Sequence, residues 1–342
     1  MDEVLRRRLE KLKHSSPISW RRVERGYTPA ERWVVGFSDG SSAFAKVGAS
    51  PLTSDCLRVE HCRYQQLRAP FMPQLLGFDA DLERPILLLE DLSAADWPPP
   101  WQRGAVQRVV ETLQQVAKTR PLPEDLPSLE SEFGASGSDE RAASGWGAVL
   151  RDPSAFLSLG LCSANWLSQA QKRLLTEQNH AALSGDDLLH NDVRSDNLCL
   201  LPDRVVLIDW NLAGRGNAAF DLAFAAPSLR LEGGPLPEEL VGDDGGLAAI
   251  VSGFFAARAG LPKIADAPRV RWIQLRQLRI ALPWVARALH LPPPDLPWAK
   301  AWLNRLDAER ARGELDDREW REQTEEVIND RDLTGEVRGA AG

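Results

Sequence analysis

The chain has 342 residues, 43% of them hydrophobic, and a formal net charge of −8. At roughly 150 residues per domain, that length suggests about two packed units with a sizeable core. The acidity excludes a general nucleic-acid binder, which needs a basic face, and no apolar run approaches the roughly 18 uncharged residues of a membrane helix.

Residues 2–14 carry charges at helical spacing and predict a short amphipathic helix. They contain no apolar segment, so they do not read as a secretory signal, and a cytoplasmic location is expected. β-type segments follow at 19–25 and 32–37, around the turn Gly26-Tyr27-Thr28-Pro29. Ser38-Asp39-Gly40 is a hairpin signal, because glycine permits φ > 0. A strand is expected over 42–47, a helix over 55–68, and strands over 75–78 and 85–90. These elements make a small α+β lobe.

Beyond Asp91 the pattern becomes helical. The stretch Trp97-Pro98-Pro99-Pro100 reads as a stiff linker. Helices are expected over 101–118, 153–183, 247–259, 270–290 and 298–312. A β-rich island interrupts them at 188–210. Residues 122–147 and 233–246 read as loops rich in Pro, Gly and acids. Residues 307–342 hold twelve of the 49 acids against six arginines, so the tail after Gly313 is a solvated helix or disordered. The charge therefore sits largely in the tail and says little about any cleft. Cys56, Cys62, Cys162 and Cys199 form no CxxC pair, which predicts neither a disulfide framework nor a zinc site.

The island reads LLHNDVRSDNLCLLPDRVVLIDWNLAG. It places Asp192 five residues before Asn197 on a loop, and a short apolar strand runs directly into Asp209. That arrangement suits phosphoryl transfer. One carboxylate can orient an attacking hydroxyl and accept its proton, while an amide oxygen and a second carboxylate hold Mg²⁺. The ordered string His190-Asn191-Asp192-Val193-Arg194-Ser195-Asp196-Asn197, followed by Ile208-Asp209-Trp210, resembles the protein kinase-like superfamily, and within it the aminoglycoside phosphotransferase-like family.

The resemblance implies an α+β, protein kinase-like bilobal fold. Residues 1–92 would be a small β-rich nucleotide-binding lobe, 93–312 a mainly helical catalytic and substrate-binding lobe, and 313–342 a charged tail. It implies Asp192 as catalytic base, Asn197 and Asp209 as metal ligands, and His190 as a structural brace. Arg194 stands where protein kinases carry a lysine that touches the transferred phosphate. Asp221 resembles a buried aspartate that starts a helix and ties down the catalytic loop. Upstream, Lys46 in SAFAKV would grip the nucleotide phosphates, with Glu60 on the following helix as its ion-pair partner. PILLLED resembles the hinge, where the Glu90 carbonyl and the Leu92 N–H would meet adenine. The phosphate loop departs from GxGxxG: Gly26 and Thr28 are its candidates, and Pro29 offers no N–H.

There is no GxxxxGK[ST] string, so a Walker-type ATPase is excluded. GRGNAA at 214–219 mimics a dinucleotide fingerprint but lacks its third glycine, and it is set aside. Asp209 and Asp221 are only 12 residues apart, with no Ser, Thr or Tyr between them. No activation segment fits there, so a protein kinase is not expected. The expected activity is transfer of the γ-phosphate of ATP, with Mg²⁺, to a hydroxyl of a small acceptor. An aminoglycoside or other aminosugar leads, and an amino-alcohol or nucleoside follows. A catalytically weak kinase-like scaffold is the alternative of another class.

Overall fold

The computed structural model describes residues 2–23, 30–133, 144–264, 269–313 and 315–329. Gly26 and Thr28 lie outside the described residues. The described chain divides into two compact units: Met1–Ala135 with Ala182–Gly242 and Lys263–Val270, and Ser136–Ala181 with Asp243–Pro262 and Arg271–Gly342.

The first unit opens with α1 (Glu3–Lys13), then β1 (Pro17–Arg22), β2 (Glu31–Phe37), β3 (Ser42–Val47), α2 (Pro51–Leu67), β4 (Leu75–Asp79) and β5 (Ile86–Glu90). The strands form one antiparallel sheet in the order β1-β2-β3-β5-β4. The β2–β3 turn closes as the sequence predicts: Gly40 sits at φ 82° and its N–H donates to the Phe37 carbonyl at 3.0 Å. The helix α2 begins earlier than its apolar period suggests. Ser50 caps it, Ser50 and Thr53 satisfy each other's N–H groups, and Pro51 occupies the first turn.

Period-two alternation sorts the sheet's side chains. Trp33, Val35 and Phe37 of β2, Ala43, Ala45 and Val47 of β3, and Ile86 and Leu88 of β5 form one core with Leu5 and Leu9 of α1. Leu87 and Leu89 face the other way and join a second core with Leu57 and Tyr64 of α2. Lys46 lies between Ala45 and Val47 and so projects to the α2 face. Burying a lysine there requires a partner, and α2 supplies one.

In chain order the remaining elements are α3 (Ala105–Ala117), α4 (Leu129–Phe133), α5 (Gly145–Arg151), α6 (Ser154–Leu157), α7 (Ala164–His180), β6 (Asp187–Leu189), β7 (Leu198–Leu200), β8 (Val205–Leu207), β9 (Gly214–Gly216), α8 (Ala219–Leu231), α9 (Pro237–Val241), α10 (Gly245–Ala259), α11 (Val270–Ala288), α12 (Trp298–Ala311) and α13 (Asp317–Asn329). In the first unit β6 pairs with β9 and β7 with β8, both antiparallel. In the second unit α10 is buried on nearly every side and packs against α5, α6 and α7. The Trp146 indole of α5 donates to Ser252 of α10 at 3.1 Å. Among the described residues no helix is long and apolar enough to cross a membrane.

The structure departs from the sequence expectations at further places. The single helix expected over 153–183 is broken, because Gly160 turns at φ 69° and Ser163 caps α7 by accepting the Trp166 N–H at 3.1 Å. The expected loop 122–147 holds α4 and the start of α5, and 233–246 holds α9 and the start of α10. The helix expected from 101 starts only at Ala105, behind Gly104 at φ 78°. The glycines of GRGNAA build β9. A Cβ on Gly214 would lie 2.9 Å from the Pro127 carbonyl oxygen, and one on Gly216 would lie 3.0 Å from that of Leu183. These glycines admit close backbone approach. The tail is helical over α13.

Candidate active site

Strand β6 ends at Leu189, and the HNDVRSDN segment follows it. Asn191 takes a left-handed conformation, φ 63°, which turns the chain. The His190 ring is fully buried. Its Nε2 lies 2.9 Å from the Ile208 carbonyl and its Nδ1 3.3 Å from the Asp192 N–H. Nε2 therefore donates and Nδ1 accepts, which is the neutral tautomer. Burial pushes its pKa down, consistent with that form. The ring stands edge-on to Trp210, 4.7 Å between centroids. Asp221, in the first turn of α8, accepts the His190 N–H at 2.7 Å and the Asn191 N–H at 2.8 Å. Burial raises its pKa despite these bonds. A residue 29 positions downstream of Asp192 thus holds the loop from behind.

Ser195–Asn197 forms a 3₁₀ turn. Asn197 is buried, and its Nδ2 donates to the Asp192 carbonyl at 3.0 Å and to Asp192 Oδ2 at 2.7 Å. The Ile208 N–H in turn donates to the Asn197 carbonyl at 2.8 Å. These bonds bind the loop to the strand that delivers Asp209. Burial raises the Asp192 pKa above the ordinary aspartate value, and the Arg194 charge works against that rise. Arg194 Nε and Nη2 meet Asp196 at 3.0 and 2.9 Å, and its Nη1 lies 3.6 Å from Asp192 Oδ1.

After β8 the chain turns at Asp209, a non-glycine residue at φ 69°, ψ 54°. Such a conformation costs free energy and persists where surrounding bonds hold it. Here Lys46 Nζ lies 3.1 Å from Asp209 Oδ1 and 2.9 Å from both oxygens of Glu60. Tyr64, one helical turn beyond Glu60, donates its hydroxyl to Glu60 Oε1 at 3.1 Å. Burial opposes the Lys46 charge, but the Asp209 and Glu60 carboxylates outweigh it and its pKa lies above the ordinary lysine value. The Lys46 charge likewise holds Asp209 below the usual carboxylate range.

The donor set at Asp209 and Asn197 is all oxygen. Because Asn197 commits its Nδ2 to Asp192, its Oδ1 is the group turned elsewhere. Among the described residues no cluster of three or more His, Cys, Asp or Glu side chains could hold a metal by itself. A site with two protein oxygens, completed by phosphates and water, fits Mg²⁺, which keeps several waters and borrows phosphate oxygens.

At the end of β5 the Glu90 side chain is engaged: Oε2 accepts the Gln74 N–H at 3.0 Å and Oε1 pairs with Arg204. The Leu92 carbonyl accepts from the Ala95 N–H at 3.0 Å and the Trp97 indole at 3.1 Å. Leu92, Cys199 and Val206 form a small apolar cluster beside this turn, with Trp97 and Ile208 against it.

Residues 19–253 match the phosphotransferase enzyme family, APH. The chain belongs to that family. As a member of APH it is a small-molecule kinase of the protein kinase-like superfamily, and the family uses ATP. Its fold is a five-stranded antiparallel sheet followed by a mainly helical region. Among solved structures it is similar to an amicoumacin kinase in complex with AMP-PNP, Ca²⁺ and Ami, at 10% identity and TM-score 0.46, covering 82% of this chain and 93% of that one. It is similar also to a macrolide 2'-phosphotransferase from Brachybacterium faecium, at 13% identity and TM-score 0.45, covering 96% and 99%. A third is an aminoglycoside phosphotransferase from Streptomyces rimosus, at 17% identity and TM-score 0.40, covering 82% and 100%. No curated protein matches the chain in sequence.

Several groups at this APH site were not singled out from the sequence. Tyr64 was the most legible, since i and i+4 share a helix face. Asp196 faces Arg194 through a local loop bond with no periodic signature. Ser195 Oγ donates to Glu232 at 2.6 Å, and the Trp101 indole donates to the same carboxylate at 2.9 Å. With its amide oriented to suit its neighbours, Asn211 donates to Asp209 Oδ1 at 3.1 Å. Trp284 and Trp302 are buried packing residues.

Lys46→Ala leaves Glu60 buried without its cation. Removing one partner of a buried pair costs on the order of 3–5 kcal/mol, so the variant is expected to unfold at lower urea. Lys46→Ala/Glu60→Ala should recover part of that loss, while Glu60→Ala alone should disturb kinetics less than Lys46→Ala. Lys46→Ala should also raise the KM for ATP and lower kcat. Unchanged stability and kinetics in Lys46→Ala would mean the pair has no role.

Proposed function

We propose that the protein transfers the γ-phosphate of ATP to a hydroxyl of an aminoglycoside, aminosugar or similar small acceptor in the cytoplasm. The observation that carries this reading is the convergence of Lys46, Glu60 and Asp209, clamped through Ile208 to the loop that holds Asp192 and Asn197. In this reading residues 1–92 act as the nucleotide-binding lobe and 93–312 as the catalytic and substrate-binding lobe.

Asp192 orients the acceptor hydroxyl and takes its proton as the oxygen attacks the γ-phosphorus. The bond from that phosphorus to the bridging oxygen breaks, and ADP leaves. Arg194, held by Asp196, stands beside Asp192 to offset charge on the transferred group. Lys46, oriented by Glu60, binds the nucleotide phosphates. Asn197 Oδ1 and the Asp209 carboxylate would hold Mg²⁺, which would supply positive charge against the phosphate oxygens. The main chain at Glu90 and Leu92 meets the adenine edge, above the apolar cluster of Leu92, Cys199 and Val206. His190 and Asp221 keep the catalytic loop in place. Catalysis is then mainly positioning and electrostatic stabilisation.

The unphosphorylated recombinant protein should release ADP from MgATP in the presence of its acceptor, without prior activation. A panel of aminoglycosides, aminosugars, macrolides, amino-alcohols and nucleosides, with generic protein substrates as a further arm, tests this by ADP release and radiolabel transfer. An antibiotic acceptor would make resistance the role, and an amino-alcohol or nucleoside would make it metabolic. Labelling of peptides, or activity that appears only after phosphorylation, would overturn the reading.

A further inference from the structure

We propose that the Trp97 indole makes the nucleotide site selective for adenine over guanine, by closing the Leu92 carbonyl to an incoming purine. The inference rests on the ATP-dependent reading above, in which the Glu90 carbonyl and the Leu92 N–H meet the base. It starts from one acceptor. A peptide carbonyl has two lone pairs, and at Leu92 two donors engage them. The Ala95 N–H donates at 3.0 Å and the Trp97 Nε1–H at 3.1 Å. The first bond closes a turn over residues 92–95. The second comes from outside that turn.

Trp97 is held where it can make that bond. Next to it, Asp96 exchanges both main-chain bonds with Leu200 of β7: its N–H donates at 3.0 Å and its carbonyl accepts at 2.8 Å. Residue 96 is thereby fixed to the strand that follows the catalytic loop. The Trp97 ring is half-buried and packs against Leu92, Cys199 and Val206. At the start of the turn, Asp91 Oδ1 accepts the Ser93 N–H at 3.0 Å. The turn is thus pinned from both ends, and its carbonyl is not left to swing toward a ligand.

The two purines differ along the edge that meets this segment. Adenine presents its N6–H as donor beside N1 as acceptor, whereas guanine presents O6 as acceptor beside N1–H as donor. The Glu90 carbonyl followed by the Leu92 N–H matches adenine. Guanine in the same position sets O6 against the Glu90 carbonyl and N1–H against the Leu92 N–H, two contacts of like with like. A register displaced by one group would serve it, with O6 on the Leu92 N–H and N1–H on the Leu92 carbonyl. That register needs an open lone pair on the carbonyl, and the indole of Trp97 occupies it. Polar edges left unpaired in a closed site are what make hydrogen-bond discrimination steep. A Trp97 that served only as packing would support either purine equally.

Titration calorimetry with ADP, IDP and GDP, each with Mg²⁺, on the native protein and on Trp97→Phe tests this. Phenylalanine keeps an aromatic ring and removes the N–H. Hypoxanthine shares O6 and N1–H with guanine but lacks its N2 amino group, so IDP separates the closed carbonyl from steric exclusion of that group. The native protein should bind ADP at least about 100-fold more tightly than either IDP or GDP. In Trp97→Phe that gap should narrow by about tenfold for both, the scale of one hydrogen bond. Native affinity for IDP near that for ADP, with GDP weak, would place the exclusion at the amino group and overturn the proposal. An unchanged gap in folded Trp97→Phe, or equal binding of ADP and GDP by the native protein, would overturn it too. If Trp97→Phe does not fold, the native ranking decides: IDP as weak as GDP supports the closed carbonyl, and IDP near ADP overturns it. Should the native protein bind none of the three diphosphates, the ATP reading itself falls. If it binds ADP and the gap does not respond to the substitution, only the role of Trp97 falls.

Discussion

Asp192→Asn is expected to fold and to bind MgATP as the native protein does, and to turn over about 10²–10⁴-fold more slowly, the range lost with a general base. The substitution preserves shape and changes chemistry. Asp192 Oδ2 accepts from Asn197 Nδ2 at 2.7 Å, and the amide oxygen of an introduced asparagine can take over that bond. The bonds that hold the loop run through other groups: Asp221 to the His190 and Asn191 N–H groups, and His190 to the Ile208 carbonyl. What disappears is the carboxylate itself, whose raised pKa, caused chiefly by burial, makes it a better proton acceptor than a solvated aspartate. Single-turnover kinetics with saturating nucleotide would read this directly. The loss should fall on kcat, with the KM for ATP and the melting temperature near native. Near-normal turnover in a folded Asp192→Asn protein would remove Asp192 from the mechanism.

The second large effect concerns Asp209→Asn. This variant should lose the dependence of nucleotide affinity on Mg²⁺. The apparent metal affinity should fall at least about 10–100-fold, the scale that even outer-shell partners of a metal command. Two physical changes act together. A charged oxygen ligand becomes a neutral one, and Lys46 loses one of its two carboxylates. The Lys46–Glu60 pair remains at 2.9 Å on both oxygens, so the sheet and α2 should stay joined and the fold should survive. ADP affinity measured across a Mg²⁺ series, against the same series in EDTA, separates metal binding from nucleotide binding. Asn197→Ala should weaken the same dependence and also free Asp192, so its kcat should drop as well. An Mg²⁺ series that superimposes on the native one in both variants would refute the site.

Much of this architecture was legible before any coordinates, because it follows from short-range periodicity. The hairpin at Gly40, the sheet strands and α2 come from alternation and turn chemistry over a few residues. The spacing of Asp192, Asn197 and Asp209 was legible for the same reason, since loop and strand lie next to each other in the chain. The pairing of Lys46 with Glu60 was expected from their order, and the ion pair lies where a lysine on the α2 face must find a carboxylate.

Other features were hidden for identifiable reasons. The helical period over 153–183 is continuous in composition, yet Gly160 and the Ser163 cap divide it, because turn geometry overrides apolar spacing. GRGNAA, set aside as a dinucleotide fingerprint, opens with β9, whose glycines admit neighbouring carbonyls. Asp196 against Arg194, and Glu232 against Ser195 and Trp101, depend on where loops arrive after folding.

By itself the sequence determined the family of chemistry. Phosphoryl transfer needs a base, an amide and a carboxylate at set offsets, and local spacing can encode offsets. The tertiary structure alone decided which groups share a face and which charges meet. Strand register and the docking of α2 bring Lys46, Glu60 and Asp209 together from three separate stretches of chain, and the energy of burying charge selects among those encounters only once the backbone has closed around them.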